Sequence, residues 1–155
     1  MTQRPAANAD RTVPKDRTEH IAAPSGEAYS KGAAKTVLVV DDNASNRLLL
    51  KRLVAALGHV TILAEDGYEG IEKARSSSPD VILMDIVMPG MDGVEAMQKI
   101  RELGSKAVIY ACSAEVDAWG TSSFEEVGFE GFLKKPIDIR DLSILLRTGS
   151  LLEAS

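Results

Sequence analysis

Two acids stand together at Asp41 and Asp42, a third stands at Asp85, a serine at Ser113, and a lysine at Lys135 directly before Pro136. Each closes a short apolar run: TVLVV before Asp41, VILM before Asp85, VIYAC before Ser113 and a segment containing FL before Lys135. Three carboxylates brought together repel one another, so the cluster is costly without a cation. Oxygen donors of this kind suit a hard divalent ion, and Mg²⁺ in particular binds through few carboxylates plus a phosphate. Lys135 offers a compact positive charge for Asp85 or for an added phosphoryl oxygen. Ser113 offers a small hydroxyl donor to the same oxygens. The set suits a carboxylate nucleophile flanked by charge-neutralising groups, and phosphoryl transfer is the chemistry that depends most on such positioning and electrostatics.

The elements that must present these residues alternate. From Thr36, a β-branched strand is followed by ASNRLLLKRLVAALG, a helix with Leu49, Leu50, Leu53, Val54 and Leu57 predicted inward and Gly58 as its stop. VTILA is a second strand; Gly67 after its acidic end, Glu65-Asp66, reads as a turn. GYEGIEKARSSS forms a weak helix with Ile71 and Ala74 inward, and PDVILMD a third strand. GVEAMQKIREL is a helix facing inward with Val94, Met97, Ile100 and Leu103. KAVIYACSA and FEGFLKKP supply the last two strands, and IDIRDLSILLRTG an amphipathic closing helix. Strands alternating with helices imply right-handed βαβ units, hence an α/β, flavodoxin-like, doubly wound (βα)5 fold. Its five-stranded parallel sheet carries helices on both faces, which suits the near-continuous apolar character of the strands. Chemistry in such sheets gathers at the carboxyl ends of the strands, where all the candidate residues fall.

Composition narrows the remaining choices. The chain has 155 residues, a formal net charge of −5, 45% hydrophobic residues and only 5% aromatic ones, consistent with one domain built on an aliphatic core. The acidic balance argues against general binding to nucleic acid or to a membrane surface. Cys112 is the one cysteine, so neither an internal disulfide nor a cysteine-based metal cluster is possible, and a small buried apolar role is expected. No apolar stretch approaches a membrane span, and the N-terminus lacks the apolar core of a signal peptide, so the expectation is a soluble cytoplasmic protein. Residues 1–35 hold three prolines and few large apolar groups, and read as a disordered extension of net charge +2. Residues 36–148 read as the folded domain and 149–155 as a short tail with no output domain. His20 and His59 carry no functional signal in the sequence.

In order and spacing, VVDDN at 39–43, VILMDIVMPGMDG at 81–93, CSA at 112–114 and FLKKP at 132–136 resemble the receiver domains of two-component response regulators. The resemblance implies that Asp85 is the phosphoacceptor, Asp42 a direct Mg²⁺ ligand and Asp41 an acidic helper acting largely through water. It also implies that the backbone carbonyl of Val87 completes the protein's share of the metal shell. Ser113 would bond the phosphoryl group and follow it inward, Lys135 would pair with it, and Phe132 would sit at the aromatic switch position. The Lys135–Pro136 peptide is expected to be cis. The implied partners are a histidine kinase or histidine phosphotransfer protein and a downstream protein, with the chain a monomer or a weak, phosphorylation-dependent dimer. DDNASNRLLLKRLVAALGH and the KPI ending look more like receivers of hybrid kinases and phosphorelays than chemotaxis-type regulators, with the helix after Asp42 as docking face.

Blander readings stand beside these. Asp41 and Asp42 could cap the helix that starts near Ala44, Ser113 could be an N-cap, and Phe132 could be simple core packing. Lys134 reads as a solvated or partner-facing charge. Two positions that flank the phosphoryl site in the family and tune hydrolysis of the aspartyl phosphate depart from its usual pattern: Val87, two residues beyond Asp85, and Glu115, two beyond Ser113. An aliphatic Val87 cannot orient an attacking water, which predicts slow loss of the phosphoryl group. VDAWGTSSFEEVG is a poor helix, expected to be short or mobile, with Trp119 as a candidate partner contact. Three functions therefore remain: a stand-alone signalling receiver, a detached receiver acting as a phosphate shuttle or sink, and an aspartate-nucleophile phosphohydrolase. The last normally places a second acid where Val87 stands.

Overall fold

The computed structural model describes residues 33–115 and 121–148, so Trp119 and the segments 1–32 and 149–155 lie outside the described residues. Five strands, β1 Thr36–Val40, β2 Val60–Ala64, β3 Val81–Asp85, β4 Val108–Ser113 and β5 Gly131–Lys134, form one parallel sheet. Their spatial order is β2-β1-β3-β4-β5, with helices α1 Ala44–Ala56, α2 Gly67–Ser77, α3 Gly93–Glu102, α4 Thr121–Val127 and α5 Ile139–Thr148 between and after them. This is the predicted doubly wound arrangement, and its order reverses at β1 and β3.

The alternation of side chains along each strand divides the core in two. Leu38, Val40, Ile82, Met84, Ile109 and Ala111 pack with Ala74 of α2, with Ala96, Met97 and Ile100 of α3, and with Phe124 of α4. Val37, Val39, Val81, Leu83, Tyr110, Cys112 and Leu133 face the other way, against Leu50 and Val54 of α1 and Leu142, Leu145 and Leu146 of α5. Both faces are thus dry, which explains why β3 is buried along its whole length, Asp85 included.

Two side chains expected inward are not. Leu49 is 43% exposed, because the phase of α1 is set by Leu50, Val54 and Leu57, and Leu49 lies about 100° away around the helix. Leu103 is 47% exposed, as the C-cap residue one position beyond the end of α3 at Glu102. Gly67 begins α2 rather than making a free-standing turn: Asp66 Oδ1 accepts the Glu69 amide at 2.8 Å, and Glu69 Oε1 accepts the Glu65 amide at 2.8 Å. That reciprocal capping supports a helix whose polar end made it look weak. His59 has a structural part as well. It is buried, and its Nδ1 accepts the Lys35 amide at 2.9 Å beside the Val60 N–H to Lys35 carbonyl bond.

Candidate functional site

The strand ladders carry the site. The Asp41 amide donates to the Ala64 carbonyl and the Lys135 amide to the Ser113 carbonyl, so both residues extend the sheet by one step. In the alternation, Asp41 follows Val37 and Val39, Asp85 follows Val81 and Leu83, and Lys135 follows Leu133, all facing the α1–α5 side. This shared parity brings together residues far apart in the chain. Lys135 Nζ lies 2.9 Å from Asp41 Oδ2 and 3.0 Å from Asp85 Oδ1.

Asp41 is buried, Asp85 is 6% exposed and Asp42 is open to solvent. Carboxylate oxygens of the three lie within 4.8 Å of one another. Burial, then the Asp41 charge, push the Asp85 carboxyl up to about 6, against the pull of Lys135. Burial opposes the Lys135 charge, but its bonds to Asp41 and Asp85 outweigh that and hold its pKa above the ordinary value. One lysine therefore does not fully relieve the carboxylates, and hard oxygen donors in this state fit a divalent cation. Above them lies an open cleft of about 270 Å³, lined by Asp42, Asp85, Val87, Ser113, Glu115 and Lys135 among others.

Ser113 reaches this cleft, although it does not bond the carboxylates. Its Oγ accepts the Glu115 amide at 2.9 Å, a turn-type bond that leaves the hydroxyl proton available for donation. The helix cap falls to Asn43, not to Asp41 or Asp42: Asn43 Oδ1 accepts the Asn46 amide at 2.9 Å. Val87 presents an aliphatic side chain that is 63% exposed. Phe132 is half-buried and stacks on Phe124 with centroids 5.5 Å apart. Cys112 is buried, and burial pushes its thiol up to about 12, which keeps it unreactive near neutral pH. The Lys135–Pro136 peptide is cis.

A family model for the response regulator receiver domain matches residues 37–147. The chain belongs to the response regulator receiver family. This receiver is 36% identical over 104 residues to the chemotaxis protein CheY of Bacillus subtilis, covering 66% of this chain and 87% of CheY. It is 35% identical to the nitrate/nitrite response regulator NarL of Escherichia coli, of which it spans half the length. Among solved structures it resembles the receiver domain of the Pseudomonas aeruginosa sensor histidine kinase PA1611, which holds a magnesium ion in its active-site cleft. The TM-score there is 0.67 at 30% identity, covering 76% of this chain and 100% of that one. It also resembles the receiver domain of Saccharomyces cerevisiae Ssk1, crystallised with the histidine phosphotransfer protein Ypd1. In that case the TM-score is 0.64 at 25% identity, over 71% of this chain and 84% of that one. Chemotaxis proteins and kinase-borne receivers are thus both among its relatives. No helix among the described residues is long and apolar enough to cross a membrane.

Sequence reasoning missed two residues that touch the acid pair. Asn46 Nδ2 lies 3.5 Å from Asp41 Oδ1, and Arg47 Nη1 donates to the Asp41 carbonyl at 2.8 Å. Their place on the first turn of α1 carries no local sign of these contacts, which depend on how the end of β1 meets the helix.

Proposed function

We propose that this receiver accepts a phosphoryl group from a phosphohistidine, borne by a histidine kinase or a histidine phosphotransfer protein, onto Asp85, and signals through protein–protein contact. The observation that carries the reading is the Lys135 ammonium bridging Asp41 and Asp85 at the floor of an open, acid-lined cleft. An Asp85 oxygen forms the new bond to phosphorus as the phosphorus–nitrogen bond breaks, and the electron pair leaves with the imidazole. Lys135 balances the charge arriving on Asp85, and the Ser113 hydroxyl donates to a phosphoryl oxygen. Asp42, Asp85 and the Val87 carbonyl would hold Mg²⁺, with Asp41 assisting largely through water. Bound there, the ion would neutralise charge on the carboxylates and the phosphoryl oxygens. Inward movement of Ser113 would vacate space into which Phe132 turns, altering the surface around α4 and β5.

The docking face is α1, where Leu48 and Leu49 are 46% and 43% exposed beside a groove lined by Asn46, Pro136 and Ile137. An apolar patch next to the cleft suits a helical donor that must bring a histidine to Asp85, and the likeness to Ssk1 supports this partner class.

Incubation with acetyl phosphate and Mg²⁺ tests the reading. The expected product is an adduct of about 80 Da, one phosphoryl group, that Asp85→Asn abolishes. Steady turnover of a phosphoester without a lasting adduct would instead make the chain a phosphohydrolase. Transfer from the phosphorylated receiver back to a phosphotransfer protein would identify a shuttle.

A further inference from the structure

Asp41 is bonded at every polar atom. Its amide donates to the Ala64 carbonyl, Lys135 Nζ reaches Oδ2, and the Asn43 amide reaches Oδ1 at 2.9 Å. Asn46 Nδ2 approaches the same Oδ1, and Arg47 Nη1 holds the backbone carbonyl at 2.8 Å. That carbonyl belongs to the peptide joining Asp41 to Asp42, and a peptide is planar. With the Asp41 amide held in the ladder, fixing this oxygen sets the plane, including the Asp42 amide, and so restricts the direction in which the Cα–Cβ bond of Asp42 points. Asp42 itself is exposed, and its carboxylate meets that of Asp85, a neighbour that repels it when both are ionised. Its aim into the cleft is therefore held from the backbone that carries it. The half-buried Arg47 is rooted in α1 by its own amide, which bonds the Asn43 carbonyl at 3.0 Å.

We infer that Arg47 is a positioning residue: through the Asp41 carbonyl it sets the Asp42 carboxylate for cation binding and ties the acid pair to α1, the helix that also carries Leu48 and Leu49. This rests on the reading of the acidic cluster as a Mg²⁺ site, and it makes a prediction opposite in sign to simple electrostatics. Removing a cation near the cleft by charge alone would tighten Mg²⁺ binding. Removing a positioning group weakens it.

The measurement is Mg²⁺ binding to the full chain by calorimetry, for the unaltered protein and for Arg47→Met, Arg47→Gln and Arg47→Lys. Arg75→Met, which deletes an exposed cation paired with Glu72, is the charge control. The expected result is a dissociation constant raised threefold or more in the two neutral variants. Arg47→Lys, which keeps a donor on a flexible stem, recovers part of that loss, and Arg75→Met shows no loss. Equal or tighter binding in Arg47→Met and Arg47→Gln overturns the inference. A readout on the unaltered protein stands beside these if the variants fail to fold. The Arg47 guanidinium resonances are expected to be resolved, as for a held group, and to shift on Mg²⁺ addition; averaged resonances unmoved by Mg²⁺ overturn the inference equally. If Mg²⁺ binding to the unaltered protein survives Asp42→Asn and Asp85→Asn, the reading of the cluster itself fails, which is a separate result.

Discussion

At the residue scale, Asp85 is a carboxylate held where charge is poorly solvated. Its pKa is raised from 3.8 to about 6, first by burial and then by Asp41, so the folded protein binds this proton more tightly than the unfolded chain does. The sign follows: the contribution of this group to stability is fully present below about pH 4 and is lost as pH rises through 6. In the absence of Mg²⁺, Asp85→Asn is expected to stabilise the protein at pH 7–8 by on the order of 2 kcal/mol. That gain should vanish toward pH 4, as read by urea unfolding across the pH range. Val87 belongs to the same scale. Its exposed aliphatic side chain lines the cleft without offering a water any hydrogen bond. Val87→Asn is expected to shorten the lifetime of the phosphorylated form several-fold, followed by decay of the adduct mass; an unchanged lifetime would remove Val87 from control of the signal.

At the scale of elements, the close seating of α3 on the end of β3 is what shapes the loop beyond Asp85. A Cβ on Gly93 would lie 2.2 Å from the Asp85 carbonyl oxygen, and the Gly93 amide already bonds the Ile86 carbonyl at 2.9 Å. The three atoms that such a Cβ would crowd, on Asp85 and Ile86, all belong to backbone, which cannot swing aside. Gly93→Ala is expected to cost at least about 2 kcal/mol in urea unfolding and to reduce phosphorylation by acetyl phosphate, because the peptide of Asp85, the proposed phosphoacceptor, must move. Helix α1 offers a different test. Leu49→Asp charges the proposed docking patch without touching the core, so transfer from a phosphohistidine donor is expected to fall at least tenfold. Phosphorylation by acetyl phosphate, measured in parallel, is expected to stay near the unaltered rate. Equal losses with both donors would place Leu49 in the fold rather than in docking.

At the scale of the whole molecule, the sheet's two dry faces supply stability, whereas the carboxyl edge detracts from it by crowding Asp41, Asp42 and Asp85. A cation bound only by the folded state shifts unfolding by mass action, by about 2.7 kcal/mol when present at a hundred times its dissociation constant. Mg²⁺ is therefore expected to raise the midpoint of thermal unfolding, EDTA to reverse the rise, and Asp42→Asn to abolish most of it. Calorimetry with and without the ion measures all three effects. The Arg101 guanidinium, which binds both oxygens of Glu130 and the Ala107 carbonyl, ties the end of α3 to the approach to β5 without using that edge.

The chain by itself determined the kind of fold and the edge on which its acids, serine and lysine gather. Apolar runs of strand length ending in Asp41-Asp42, Asp85, Ser113 and Lys135 leave little choice, because period-two burial and βαβ connection put those ends on one edge. Only the tertiary structure decided how the residues share the work. Capping of α1 fell to Asn43, which directly precedes Ala44, while Asp41 is claimed by Lys135, 94 positions away, a contact that no local rule weighs. Leu49 faced outward because a helix with apolar residues over much of its girth has several possible phases, and only the sheet surface selects one. Arg47 reads in sequence as a solvated helix cation. Its hold on the Asp41 carbonyl exists only once the end of β1 turns back over the first turn of α1.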